Sequence, residues 1–204
     1  MATRWIDGGS DGLTTRTTPR ITICGIAELC EHSTANVTHV LSILDPHLPE
    51  RPELDDFAPH WRLILRFHDV IGPQPGQIAP SREDIERLLA FGREISHTRD
   101  AHLLVHCGAG VSRSTAAAAL ILMQANPEWP GSVVLNTVVT MRPCAWPNLL
   151  MLELGDAFLG RNGEIVAAAG AIYRRVLERA PEFGKKITAA GREREIIAAL
   201  RGPR

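Results

Sequence analysis

The chain has 204 residues, 45% of them hydrophobic, and a formal net charge of −1 at pH 7. That is enough apolar material for one domain with a substantial core, and the charge balance excludes bulk electrostatic attraction to nucleic acid or to an anionic membrane surface. No apolar run reaches the roughly 20 residues that span a bilayer, residues 1–8 lack the apolar core of a signal peptide, and Cys24, Cys30, Cys107 and Cys144 show no paired spacing. A soluble protein of the reducing cytoplasm is the expectation.

Residues 1–18 are polar and rich in glycine and threonine, and read as a mobile arm. Ile21-Thr22-Ile23 predicts a short edge strand, with a helical turn or two over 26–32. Strands are predicted over 38–44 and 61–67, separated by a proline-rich connector at 45–59. Ser81-Arg82-Glu83-Asp84 has the form of a capping box and opens a helix running to about Thr98. Ala101-His102-Leu103-Leu104-Val105 is apolar and β-prone, a short buried strand. Helices follow at 113–125, 131–141, 147–159 and 163–180, and a charged, helical tail occupies 181–204. There are no repeats, so the expected organisation is an arm at 1–18, one domain at 19–180 and the tail. Strands followed by helices predict an α/β fold with a small, mostly parallel central sheet flanked by helices.

The informative stretch is His106-Cys107-Gly108-Ala109-Gly110-Val111-Ser112-Arg113-Ser114. It places a cysteine at a strand end and an arginine at a helix start, joined by small residues. Backbone N–H groups at a helix N-terminus favour an anion, and successive N–H groups in a loop can wrap phosphate oxygens. The same field stabilises a thiolate, which makes Cys107 a competent nucleophile near neutral pH. The alternative is a structural cysteine before an ordinary helix, with Arg113 on the surface.

This segment resembles the His-Cys-x5-Arg-Ser/Thr loop of the cysteine-dependent protein tyrosine phosphatases, in particular the small dual-specificity group, and the resemblance extends over roughly residues 19–180. Leu63-Ile64-Leu65-Arg66-Phe67-His68-Asp69 is similar to the strand and aspartate that supply that group's general acid. Arg142-Pro143 and Pro147-Asn148 resemble its arginine-proline and proline-asparagine segment, and Leu159-Gly160-Arg161-Asn162-Gly163 resembles small bacterial members. The family implies the same architecture, with the phosphatase signature loop between a strand and a helix.

The chemistry expected of these residues is phosphomonoester hydrolysis through a cysteinyl-phosphate intermediate on Cys107. Backbone N–H groups of Gly108, Ala109, Gly110, Val111, Ser112 and Arg113 would hold the equatorial oxygens, and the Arg113 guanidinium would grip two of them at once. Asp69, between a strand and a loop rich in proline and glycine, is the candidate general acid, then base. Asp45, Asp55, Asp56, Asp84, Asp100 and His68 are weaker rivals. Ser114 would donate to the Cys107 sulfur or serve as a helix N-cap. His106 would orient the loop through backbone hydrogen bonds. Arg142 reads chiefly as a complement to a helix dipole, Asn148 as a support for the loop, Cys144 as a small packed residue, and Trp61 and Trp146 as core.

No metal or cofactor is expected, since His102, His106 and Cys107 do not form a ligand cluster, and a nucleotide-triphosphate loop is excluded because no lysine lies near the glycines. The neutral side chains of Gly108, Ala109, Val111 and Ser112 favour a phosphorylated protein or peptide, with phosphotyrosine foremost and phosphoserine/threonine also accepted. A catalytically silent phosphate-binding module, or a phosphatase of RNA 5′-phosphates or phosphoinositides, are the alternatives. The sequence leaves the oligomeric state open.

Overall fold

The computed structural model describes residues 18–49 and 52–201. All of the N-terminal arm expected at 1–18, except Thr18, lies outside the described residues, as do 202–204.

Four strands, β1 (Arg20–Gly25), β2 (His39–Leu44), β3 (Trp61–Arg66) and β4 (His102–Cys107), form one sheet in the order β1-β4-β2-β3. Every pairing is parallel. The central strands β4 and β2 are buried at every position, which is why both read as nearly continuous apolar runs rather than as alternating ones. Two of their polar side chains pair with each other, His106 Nε2 with Ser42 Oγ at 2.7 Å. At the β3 edge, Arg62 and Arg66 reach back to Ser42 Oγ and to the Leu48 carbonyl. Charged side chains there discourage pairing with another chain's strand. Trp61, at the start of this edge, is 76% exposed and is not core.

A 3-10 helix over Ile26–His32 follows β1. Between β3 and β4 runs α1 (Arg82–Ser96), opened by the predicted capping box: Asp84 N donates to Ser81 Oγ and Ser81 N to Asp84 Oδ2. After β4 come α2 (Arg113–Ala125), α3 (Gly131–Met141), α4 (Leu149–Leu159), α5 (Glu164–Arg179), α6 (Pro181–Ala189) and α7 (Glu193–Arg201).

Helix α2 is the hub of the larger core. Its alanines at 116–119 are fully buried, and such small side chains let neighbouring helices approach closely. Gly155 on α4 completes the fit, because a Cβ there would lie 2.1 Å from a Leu120 methyl. The other face of the sheet carries a smaller cluster, with Cys24, Leu29, Val40, Leu54, Phe57 and Leu104. Because all four strands run the same way, their carboxyl ends share one edge of the molecule. Gly25 lies in register with Cys107, and the segments bearing Asp45 and Asp69 leave β2 and β3 at the same edge. Open α/β sheets bind ligands at that edge.

Candidate active site

The loop from Gly108 to Ser112 joins the end of β4 to the first residue of α2. Its five carbonyls are all engaged from outside. The Gly108 carbonyl accepts from Ile26 N at 3.1 Å, Val111 O from Trp146 N at 2.9 Å, and Ser112 O from Asn148 N at 3.2 Å. The carbonyls of Ala109 and Gly110 accept from Arg142 NH2 and Nε, each at 3.1 Å. A trans peptide directs its N–H opposite to its C=O, so carbonyls drawn outward turn the following N–H groups into the loop. The N-terminus of α2 adds its dipole to the same point. An arrangement of this kind can hold an anion.

Glycine is required at one point of this ring. Gly110 has φ +69°, and a Cβ there would lie 2.5 Å from the backbone of Cys24 and Gly25. The loop is therefore pressed against the end of β1 by its own backbone.

Cys107 is buried at the floor, with Sγ 3.2 Å from Ser114 Oγ. Ser114 is not the helix cap. The helix begins at Arg113, Ser112 holds the N-cap position, and the Ser114 hydroxyl is left to the sulfur. Ser112 makes no capping bond either, since its hydroxyl donates to Asp69 Oδ1 at 2.7 Å.

Arg113 is buried as well. Its NH1 donates to Asp45 Oδ1 at 2.7 Å and to the Phe67 carbonyl at 2.6 Å, while Nε has no hydrogen-bond partner among the described residues. Asp45, weighed in the sequence only as a rival acid, is thus the anchor of this arginine.

Asp69 lies at the rim, with both carboxylate oxygens engaged. Oδ1 accepts from Ser112 Oγ and, at 2.9 Å, from Asn148 Nδ2, and Oδ2 forms an ion pair with Arg192 NH1 at 2.9 Å. Asn148 also caps α4 through Met151 N and donates to the Val70 carbonyl. The structure thus brings Cys107, Arg113, Ser114 and Asp69 around one loop, with Asn148 behind it.

Several sequence readings need correction. Arg142 does not merely complement a helix dipole. Besides holding two loop carbonyls it pairs with Glu28 at 2.9 Å, and this hydrogen bond, followed by one from Gly25 N, holds the Glu28 carboxyl below its usual range. His106, expected to orient the loop through backbone hydrogen bonds, meets Ser42 Oγ of β2 through its ring Nε2. Cys144 is exposed rather than packed. Cys24, beside the loop, is buried, and loss of solvation pushes its thiol up to about 12, so it stays neutral.

The residues missed in the sequence lie at the α6–α7 corner, Arg192 just before α7 and Glu195 in its first turn. Arg192 bonds Asp69, Ser112 Oγ (2.9 Å) and Glu195 (2.6 Å). Glu195 is fully buried and accepts from Trp146 Nε1 at 2.5 Å and from Leu149 N at 3.2 Å. Burial opposes the charge on Arg192, but Asp69 and Glu195 outweigh it and raise the guanidinium's pKa. Burial likewise pushes the Glu195 carboxyl up, against the pull of Arg192. Leu149 is the first residue of α4, so Glu195 satisfies a helix N-terminal donor from a distant element. Glu195→Ala should strand that donor, the Trp146 indole and part of Arg192. The expected cost is about 3–5 kcal/mol of stability, read as a lower urea midpoint with an unchanged slope.

No protein-family model matches the chain, and neither does any curated protein. Solved structures do match. Human DUSP28 aligns with a TM-score of 0.54 at 16% identity, over 72% of this chain and 96% of its own. Cydia pomonella PTP-2 phosphatase aligns with a TM-score of 0.55 at 22% identity, over 70% and 88%. PTPMT1 in complex with PI(5)P gives 0.52 at 16% identity, over 70% and 91%. The chain has the fold of these protein tyrosine and dual-specificity phosphatases.

Proposed function

We propose that this chain is a cysteine-based phosphomonoesterase acting on phosphorylated proteins, with phosphotyrosine as its foremost substrate. The observation that carries the reading is the loop itself. Five consecutive carbonyls are drawn outward around a buried cysteine, which leaves the following N–H groups free to meet the equatorial oxygens of a phosphoryl group.

In the first step Cys107 Sγ attacks phosphorus in line, an S–P bond forms, the bond to the leaving oxygen breaks, and Asp69 gives that oxygen a proton. In the second, Asp69 takes a proton from water, the water oxygen attacks phosphorus, and thiolate leaves, supported by the Ser114 hydroxyl. The substrate class rests on the loop's side chains. Apart from Arg113 they carry no cation, and they offer nothing to a second phosphate of an inositide.

Hydrolysis of p-nitrophenyl phosphate that survives EDTA is the first test of the reaction. Phosphate release from phosphopeptides, phosphoinositides and RNA 5′ ends then tests the substrate, and inositide or RNA turnover exceeding that of phosphotyrosine peptide would overturn the protein assignment. Asp69→Asn is expected to slow phenyl phosphate by roughly 10²–10⁴-fold and p-nitrophenyl phosphate far less, because the nitrophenolate departs with little help from a proton. Equal losses on the two esters would remove Asp69 from the role.

A further inference from the structure

The Asp69 segment leaves β3 as a loop containing Gly72, Pro73, Pro75 and Gly76, yet it is held at three points by the α6–α7 corner. Arg192 NH1 pairs with Asp69 Oδ2 at 2.9 Å, Arg194 NH1 donates to the Ile71 carbonyl at 2.8 Å, and Gln74 Nε2 donates to the Ala190 carbonyl at 3.2 Å. The corner turns at Gly191, whose φ is +69° and where a Cβ would lie 2.7 Å from Gln74 Nε2. The same guanidinium reaches the phosphate loop through Ser112 Oγ at 2.9 Å, and Glu195 fixes its orientation with bonds of 3.0 and 2.6 Å.

We propose that Arg192 is a positioning residue for proton transfer, clamping the Asp69 loop to the phosphate loop, so that the C-terminal helices are a working part of the site. This rests on the phosphatase reading above. A planar fork can hold a carboxylate and a hydroxyl at once in fixed geometry, which a lysine ammonium on a flexible stem cannot do. Stability alone does not account for the arrangement. A buried ion pair is often matched by an apolar pair of similar volume, whereas this one joins the two segments whose relative placement sets the distance from acid to leaving oxygen. Misplacement of a reacting group by about 1 Å costs on the order of 100-fold in rate.

The experiment compares kcat and KM on phenyl phosphate and p-nitrophenyl phosphate for Arg192→Met and Arg192→Lys, each alone and with Asp69→Asn. Arg192→Met is expected to lower kcat on phenyl phosphate by roughly 10- to 100-fold, with a smaller loss on p-nitrophenyl phosphate. It should add little in the Asp69→Asn background, because a residue acting only through Asp69 has nothing left to act on. Arg192→Lys keeps the charge beside Glu195 and is the variant to read if Arg192→Met does not fold; it should show the same pattern at reduced size. An unchanged ratio of the two rates in whichever variant folds, or an undiminished loss in the Asp69→Asn background, overturns the proposal. Failure of the phosphatase reading would look different: the wild type itself would turn over neither ester, or would do so regardless of Cys107.

Discussion

Cys107→Ser is expected to leave a folded protein whose hydrolysis of p-nitrophenyl phosphate is lower by roughly 10⁴-fold or more. The substitution is close to isosteric, so the floor of the loop keeps its shape. The new hydroxyl can still meet Ser114 Oγ, which lies 3.2 Å from the present sulfur. What changes is ionisation. A thiol can be drawn to thiolate by a helix N-terminus and inward N–H groups, whereas an alcohol is far too weak an acid for the same field to ionise. Activating it would need an adjacent general base, and the side chain that meets this position is the Ser114 hydroxyl, itself no stronger a base than the alcohol. The loop's backbone is untouched, so inorganic phosphate or vanadate should still protect the variant against thermal unfolding. Loss of turnover with retained anion binding would mark Cys107 as the nucleophile. Turnover near the wild-type rate would transfer the chemistry to another group and leave the loop as a binding site.

The elements legible in the sequence are those fixed by local physics. The helices predicted over 113–125 and 131–141 coincide with α2 and α3. The capping box at Ser81 marks α1 because cap and partner are only three residues apart. Cys107, Arg113 and Ser114 stood out for the same reason, sharing one short loop.

The second layer was not legible. Arg142 and Glu28, which brace the loop from outside, are 114 positions apart. Arg192 and Ser112 are separated by 80, and no spacing rule operates over such distances. Arg192 and Glu195 carry no local signal of their burial. Charges three apart along a helical segment ordinarily pair on its solvated side, yet these two are 5% and 0% exposed. They face inward because the corner at Gly191 folds the tail onto the Asp69 loop, and the sequence shows only a glycine before a run of alternating charges. Asp45 was read as a rival acid for a similar reason. That a carboxylate follows a strand says nothing of which guanidinium will turn toward it.

Arg113→Lys carries the other large expectation: kcat lower by roughly 10²–10³-fold, or about 2.7–4 kcal/mol of transition-state stabilisation. The guanidinium is used asymmetrically. NH1 is pinned from below by Asp45 Oδ1 at 2.7 Å and the Phe67 carbonyl at 2.6 Å. Nε is buried with no hydrogen-bond partner among the described residues, and NH2 lies 3.7 Å from where a Cβ on Gly108 would stand, so it faces the loop. A buried unpaired donor costs about 1–3 kcal/mol, a cost that makes sense where a ligand completes the bond. Nε and NH2 form one edge of the fork, the edge that matches two oxygens of a phosphoryl group. Lysine would have to choose. Its ammonium can keep the contact with Asp45 or turn to the phosphoryl oxygens, and in either case the second parallel bond is lost. The loss should fall on kcat more than on KM, because charge on the equatorial oxygens is best matched by the fork at the transition state. Asp45→Asn provides the internal comparison. It weakens the pin but leaves the Nε–NH2 edge intact, so its effect should be clearly smaller than that of Arg113→Lys. If the two variants lost activity equally, the anchoring of Arg113 rather than its bidentate edge would be the feature that matters.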